Sequence, residues 1–422
     1  MKKLIKKLKL KRRFITALAA LHFYGNPSSK LKIVGVTGTN GKTTTATLLY
    51  SIALALGHKA GLIGTVENRI NDQVFGATHT TPDPLSLNKL LSKMVDAGCE
   101  YVFMEVSSHA LDQGRVAGIK FAGGIFTNLT HDHLDYHKSI ENYFLAKKKF
   151  FKMLPVGAFA LSNADDEHGI LMPIGIKARS FFYGFKGGEN FHGEIRGKDF
   201  SGLKLSFNGE EINSKLLGRF NAYNLLAVWS ACNLLGWDME KPAQPGDSGR
   251  SGGVNKILEN IKPPRGRFEH FKSPSGVLII VDYAHTPDAL EKIFGAVKEI
   301  RQGEGRIISV FGCGGDRDPL KRRIMGKIGA ENSDTAIFTS DNPRSEDPEK
   351  IIAEMKTDLS VPVALKVKTI ADRREAIKEA VRLAQSGDII LCAGKGHEDY
   401  QEVKGVKHHF SDMEEFKRSY SA

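Results

Sequence analysis

The segment Leu31–Leu56 constrains the fold of this chain more than any other. An apolar run, LKIVGVT, leads into the glycine loop GTNGKTT, and a helical pattern follows from Lys42 to Leu56. In a strand–loop–helix unit of this kind, the backbone N–H groups of the loop converge on phosphate oxygens. The positive end of the helix adds to the attraction. Lys42 is placed to reach the β- and γ-phosphates, and the Thr43 hydroxyl to hold Mg²⁺. The strict pattern GxxxxGKS/T fails by one place, because Val36 stands five before Gly41 and Gly35 one further back. The setting still marks a nucleoside triphosphate site built from Gly38, Thr39, Asn40, Gly41, Lys42, Thr43 and Thr44.

The same alternation continues down the chain. Tyr101–Val106 and Gly123–Asn128 read as buried strands, with helical periodicity over Leu85–Ala97 between them. Strands alternating with helices imply a parallel sheet covered on both faces. Phe181–Leu217 instead alternates polar and apolar residues between turn signals, and reads as a small antiparallel meander. A long helix follows over Ala222–Leu235, then a Pro-, Gly- and Ser-rich surface loop over Lys241–Gly253.

Pro263–Gly266 reads as a joint. Beyond it, strands are expected at Val277–Asp282, Arg306–Phe311, Thr335–Ser340 and Asp388–Ala393. Helices are expected at Pro287–Arg301, Lys321–Glu331, Pro348–Asp358 and Ala371–Gln385, a doubly wound pattern. The expected fold class is therefore α/β: a P-loop central domain with a parallel sheet and a small antiparallel sheet, then a Rossmann-like C-terminal domain. The expected divisions are a basic tail and linker at 1–30, the central ATP-binding domain at 31–265 and the C-terminal domain at 266–422.

The net charge of +12 invites a nucleic-acid reading, but its distribution argues against one. No acidic residue precedes Glu67, and that stretch holds 12 Lys and Arg, eight of them within Met1–Arg13. The rest of the chain carries 48 basic and 48 acidic residues and is formally neutral. A nucleic-acid ATPase would interleave aromatic and basic residues on a basic body. The tail reads either as an amphipathic basic helix making peripheral contact with an anionic membrane surface or as a frayed, solvated segment. It is a poor signal peptide, because its apolar part is short and no clean cleavage site follows. No apolar run approaches the ~18 residues of a membrane span. Four well-separated cysteines, Cys99, Cys232, Cys313 and Cys392, fit a reducing cytoplasm and neither a disulfide scaffold nor a structural zinc site.

Two further clusters carry chemistry. Glu105 ends a buried strand in EVSSH, where a carboxylate can position Mg²⁺ beside bound phosphates. HDHLDYH, from His131 to His137, has the composition of a zinc cluster. A single histidine lending a nitrogen to Mg²⁺ beside ATP accounts for it equally well.

Ten segments, TGTNGKTT, HTTPD, EVSSHALDQGRV, FTNLTHDHLDYH, GRFNAYN, GRFE, DYAHTPDAL, FGCGGDRD, DNPRSEDP and GKGHEDYQ, occur in that order. Together they resemble the Mur ligase family, MurE branch, from about Leu31 to the C-terminus. The resemblance implies ATP-dependent amide formation. The γ-phosphoryl group of ATP activates a carboxylate as an acyl phosphate, which an amine then attacks. An anion meeting a polyanion needs cations, here Lys42 and Mg²⁺.

By the same resemblance, Thr43 and Glu105 hold one Mg²⁺ and His133 helps to hold a second. Lys147 matches the lysine that the family carbamylates, which turns a cation into a metal-binding anion. Lys42, Lys147 and His133 are thus the implied catalytic groups. Thr80, Thr81, Ser107, Gln113 and Arg115 match contacts to the acyl acceptor, a UDP-linked muropeptide. Asn221 and Asn224, with Arg267, Asp282 and His285, match nucleotide contacts. Asp341-Asn342-Pro343-Arg344 resembles the signature of members that add meso-diaminopimelate. There Arg344 grips the distal carboxylate, and Arg317, Gly394 and Glu398 make further contacts, Glu398 to the distal ammonium.

The family also carries a uridine diphosphate-binding domain ahead of the P-loop strand. The 30 residues before Leu31 are too few to fold into one. Recognition of the uridine end is therefore expected from a partner, from a different carrier, or from residues encoded upstream.

The first expectation is a monomeric, cytoplasmic ligase that adds a diamino acid to UDP-MurNAc-L-Ala-D-Glu in peptidoglycan synthesis. Its rivals use the same chemistry on another substrate: L-lysine, a lipid-linked muropeptide, or a folylpolyglutamate or cyanophycin chain. A non-catalytic ATP-binding homologue is the alternative from another class. Against it stands the joint presence of Lys42, Thr43, Glu105, His133 and Lys147.

Overall fold

Strand β1 (Lys32–Thr37) lies inside an 11-stranded sheet, and its place follows from its residues. Ile33 packs on one face, and Val34 and Val36 on the other, so the run is buried on both sides. Such strands are the hallmark of a parallel sheet. The computed structural model describes residues 15–77, 79–240, 253–301, 303 and 305–421. Most of the basic tail and of the loop expected at Lys241–Gly253 therefore lie outside the described residues. Among those described, no helix is long and apolar enough to cross a membrane.

The chain forms two compact units, Met1–Gly197 with Leu203–Ile261, and Lys198–Gly202 with Lys262–Ala422. In the first, the strands after β1 are β2 (Ala60–Ile63), β3 (Glu67–Ile70), β4 (Gln73–Gly76), β5 (Tyr101–Glu105), β6 (Gly123–Phe126), β7 (Phe159–Asn163), β8 (Arg179–Gly184), β9 (Phe191–Asp199), β10 (Gly202–Phe207) and β11 (Glu210–Ser214). The sheet order is β11-β10-β9-β8-β7-β6-β1-β5-β2-β3-β4. β2, β5, β1, β6, β7 and β8 run parallel.

β10 and β11 form the antiparallel pair expected of the meander. The residues before it behave differently, because β8 lies parallel to β7 and β9 begins parallel to β8, so both prolong the central sheet. Local alternation cannot distinguish these outcomes; the partner strand decides. The hairpin β3–β4, which continues the sheet beyond β2, carries no strong local signal and was not anticipated.

Helices Lys42–Ala55 and Arg219–Leu234 cover one face, with Trp229 the largest buried side chain. Helices Pro84–Asp96 and Ile140–Met153 cover the other through Leu87, Leu91, Phe150 and Phe151. Trp229 packs against Phe191 and Phe207, and its indole N–H donates to Asn255 Oδ1 at 2.9 Å.

The second unit holds β12 (Glu269–Lys272), β13 (Leu278–Asp282), β14 (Ile307–Phe311), β15 (Thr335–Phe338), β16 (Val367–Thr369) and β17 (Ile389–Ala393), ordered β12-β13-β17-β14-β15-β16. All pairs are parallel except β12 with β13. The four strands and four helices expected here are present, all with shorter ends except the helix Leu320–Asn332, which extends one residue beyond the expected Lys321–Glu331 at each end. A short hairpin, β18 (Tyr400–Val403) and β19 (Val406–His409), follows.

Replacing Trp229 by Ala removes this anchor and leaves a cavity, at a cost of roughly 3–5 kcal/mol. Urea unfolding followed by circular dichroism is the check. A loss under 1 kcal/mol would show that the helix is anchored elsewhere.

Candidate functional site

The P-loop is bent by two glycines that no other residue replaces. Gly38 has φ 154° and Gly41 φ 85°. A Cβ on Gly38 would lie 1.8 Å from Thr127 Oγ1, and one on Gly41 2.5 Å from Asn224 Oδ1. The loop is then tied to the residues after β6. Thr39 N–H donates to Asn128 O at 2.8 Å, Asn40 N–H to Asn128 Oδ1 at 2.9 Å, and Thr127 Oγ1 to Asn40 O at 2.6 Å. Thr44 is buried in the first turn of the following helix.

Two lysines meet at one carbonyl. Lys42 Nζ donates to Gly38 O at 3.0 Å and to Thr39 O at 2.7 Å, while Lys147 Nζ donates to Gly38 O at 2.6 Å. Lys147 is 1% exposed. Burial first, and the Lys42 charge second, push its amine well below the lysine range. A neutral buried amine is the form that can take up carbon dioxide as a carbamate.

Thr43 Oγ1 donates to Glu105 Oε1 at 3.0 Å, and Thr65 binds the same carboxylate through its N–H (2.7 Å) and its hydroxyl (3.1 Å). A buried carboxylate among hydroxyls suits a hard cation such as Mg²⁺. Among the described residues no group of three or more His, Cys, Asp or Glu comes close enough to hold a metal. The donor set therefore fits an ion held by Thr43 and Glu105 and completed by water and phosphate. His133, in a left-handed conformation (φ 53°), sets its ring beside His109 at 4.8 Å and Tyr143 at 6.1 Å. The Lys147 amine lies 4.4 Å from the Tyr143 ring, so His133 and Lys147 both neighbour that tyrosine.

The candidate acceptor residues form one network joined to Glu105. Thr81 Oγ1 donates to Glu105 O at 2.8 Å and lies 3.4 Å from Ser107 Oγ, and the Thr65 and Thr80 hydroxyl oxygens lie 3.0 Å apart. Arg115 holds Thr81 O at 2.8 Å and grips Gln113 Oε1 with two nitrogens. Thr65 was not singled out from the sequence. Its signal is its place just after a buried strand, the same signal that exposed Glu105. Asn221 and Asn224 bond each other at 3.0 Å, and Asn224 stands against the P-loop through Gly41.

The second unit gathers the remaining candidates at the carboxyl ends of its strands, where open α/β sheets bind ligands. Asp282 accepts from the N–H groups of Phe268 and Ala284, and Arg267 stacks on Tyr283 at 5.0 Å. His285 and His397 flank the same ring at 4.5 and 4.7 Å. Arg267 Nε and His397 Nδ1 are buried without a hydrogen-bond partner, which a bound ligand would supply.

Gly394 N–H donates to Asp282 O at 3.1 Å and so links this group to the next. Asn342 Nδ2 donates to Glu398 Oε2 at 2.8 Å, and Asn342 O accepts from Gly315 N–H at 2.9 Å. Pro343 backs onto that turn, where a Cβ on Gly315 would lie 1.9 Å from its carbonyl. Arg344 (φ 52°) donates to Gly315 O at 2.6 Å and faces Glu402 at 3.5 Å. Arg317 is exposed at the end of this turn. Lys395, fully buried, reaches Asn342 Oδ1 at 3.2 Å and Glu398 Oε2 at 3.3 Å. It stands in GKGHEDYQ but was not singled out; a lysine in a glycine turn after a buried strand was its signal.

Residues 36–232 match the Mur ligase middle domain, and residues 266–396 match the Mur ligase, glutamate ligase domain. The UDP-N-acetylmuramoyl-L-alanyl-D-glutamate–2,6-diaminopimelate ligase of Bacteroides fragilis is 51% identical over 403 residues, covering 96% of this chain and 81% of that protein. A solved structure of a UDP-N-acetylmuramoyl-L-alanyl-D-glutamate–2,6-diaminopimelate ligase superposes with a TM-score of 0.66 at 34% identity, over 93% of this chain and 78% of that one. The folylpolyglutamate synthase of Mycobacterium tuberculosis, complexed with ADP and AMPPCP, shares the fold with a TM-score of 0.69 at 17% identity, over 90% and 92%.

A buried histidine, His137, and a half-buried one, His397, would make the protein acid-sensitive. Burial, helped by His109 for one and Arg267 for the other, holds His137 and His397 down at about 4. Unfolded histidine titrates near ~6.5 and takes up protons first. Stability therefore falls as pH drops from about 6.5 to about 4. Melting temperatures across this range should decline, and less steeply in His137→Asn. An unchanged slope in that variant would show that His137 is not part of the cause.

Proposed function

This chain belongs to the Mur ligase family, and on that premise we propose that it adds meso-diaminopimelate to the D-Glu carboxylate of UDP-MurNAc-L-Ala-D-Glu, with ATP. The observation that carries the reading is a single connected site. P-loop, Glu105, Lys147 and acceptor residues form one hydrogen-bonded unit in a chain alike to a 2,6-diaminopimelate ligase along 96% of its length.

The geometry supports the following roles. The P-loop N–H groups and Lys42 cradle the phosphates. Thr43 and Glu105 would hold Mg²⁺, with His133 and carbamylated Lys147 beside it. When bound there, the ion would supply neutralisation of the negative charge that builds up as phosphate meets carboxylate. Arg115, Gln113, Ser107, Thr80 and Thr81 line the approach of the acceptor carboxylate. Attack by the amine on the acyl phosphate forms the C–N bond and expels inorganic phosphate. Arg344 grips the distal carboxylate of the diamino acid and Glu398 its distal ammonium. The expected setting is the cytoplasm, where ATP and nucleotide-linked precursors are available.

Phosphate release with ATP, Mg²⁺ and UDP-MurNAc-L-Ala-D-Glu should require meso-diaminopimelate, and L-lysine should not replace it. In Arg344→Ala the KM for meso-diaminopimelate should rise by a factor of ~10–100, about 1.4–2.7 kcal/mol. Release with lysine alone would overturn this assignment. Turnover only on a lipid-linked acceptor would replace the nucleotide-linked substrate. Lys147→Ala should abolish turnover, and short carboxylic acids should restore part of it by standing in for the carbamate. Normal activity in that variant would remove the carbamate from the reaction.

A further inference from the structure

Arg373 is buried, carries five N–H donors, and has none aimed at solvent. It opens the helix Arg373–Leu383. Its Nε and Nη2 donate to the two carboxylate oxygens of Asp412 at 2.7 and 2.9 Å, and both side chains are 0% exposed. Its remaining reach goes to backbone: Nη1 to Ser340 O at 3.3 Å and Nη2 to Ala393 O at 3.0 Å, with Cys392 Sγ at 3.4 Å.

Those two carbonyls are not arbitrary. Ser340 immediately precedes Asp341-Asn342-Pro343-Arg344, and Ala393 immediately precedes Gly394 and the turn to Glu398. The two loops leave β15 and β17, which are not neighbours, since β14 lies between them. One guanidinium therefore spans the gap beneath both. Above it the loops meet again through Asn342 and Glu398 at 2.8 Å, and a Cβ on Gly394 would lie 2.5 Å from Asp341 Oδ2. A planar fork held on one side by a carboxylate can fix two carbonyls at a set separation, and an ammonium point charge cannot.

Stability alone does not account for the pair. Buried ion pairs are often matched or bettered by apolar residues of similar volume. An apolar pair, however, cannot hold two carbonyls.

We propose that Arg373, locked by Asp412, is a positioning residue for the incoming amine, setting the separation of the Asp341–Arg344 and Gly394–Glu398 loops. The proposal rests on the assignment of those loops to the amine substrate, made above. Arg373 touches no substrate itself; it acts through the loops.

The test compares the wild-type protein with Arg373→Lys, Asp412→Asn and the double variant Arg373→Met with Asp412→Leu. Melting curves identify the variants that fold. The amine is whichever the wild-type protein accepts, so a failure of the diaminopimelate reading shows in the wild type and leaves this comparison intact. In the folded variants the KM for the amine should rise about tenfold or more, while the KM for ATP stays within about twofold. The double variant should melt near the wild-type temperature and still show the raised KM. Folded variants that keep the wild-type KM for the amine, with only kcat or melting temperature lowered, would overturn the proposal. So would an equal rise in the KM for ATP. Asp412→Asn keeps the shape and one acceptor oxygen, and is the variant on which the outcome rests if the others unfold.

Discussion

Two lysine amines share the carbonyl of Gly38, and much of the first unit is arranged around that fact. Two ammonium groups on one oxygen would repel each other in a place with little water. Burial first, and the neighbouring Lys42 second, ease the conflict by pushing the Lys147 amine well below the usual lysine range. The carbonyl is available only because Gly38 takes a backbone conformation that brings it against Thr127, where a side chain has no room. The helix Ile140–Met153 must then pack, through Tyr143, Phe150 and Phe151, so that Lys147 reaches the same carbonyl. Loop, helix and strand end are thus mutually dependent.

The two units solve a common problem in different ways. In the first, the ends of β1, β5 and β6 present glycines, hydroxyls and one carboxylate, groups suited to phosphate and a hard cation. In the second, the ends of β13, β14, β15 and β17 present stacked rings, a guanidinium and carboxylates, groups suited to a zwitterionic amino acid. Several buried charges in the second unit are paired in networks: Arg322, through its two terminal nitrogens, with Glu346 and Glu354, Arg373 with Asp412, and Lys395 with Asn342 and Glu398. Each network secures a loop that carries a candidate contact, and it does so at the cost of taking ions out of water.

Much of this was legible in the linear chain. The P-loop, the alternation of strands and helices, and the doubly wound second unit follow from runs of apolar residues and their punctuation by glycine. Glu105 was legible because a carboxylate at the end of a buried strand is conspicuous. Lys395, Thr65 and Arg373 were not. A lysine, a threonine and an arginine are ordinary residues in a sequence, and only the partners they meet distinguish them. β8 was misjudged for a related reason. Its alternating pattern permits either neighbour, and strand pairing is a property of the sheet.

By itself, the sequence determined which groups are available: a glycine loop able to cradle phosphate, a carboxylate suited to a hard cation, and a guanidinium able to pair with a carboxylate. These depend on residue type and local spacing, and hydrogen-bonding capacity is a local property. Only the tertiary structure decided that the Lys147 amine is pushed well below the lysine range, that Thr43 and Glu105 share a hydrogen bond across 62 residues, and that one buried arginine joins two loops from separate strands. Burial and long-range contact set those outcomes, because the energy of a charge depends on what surrounds it and neither condition exists until the chain has folded.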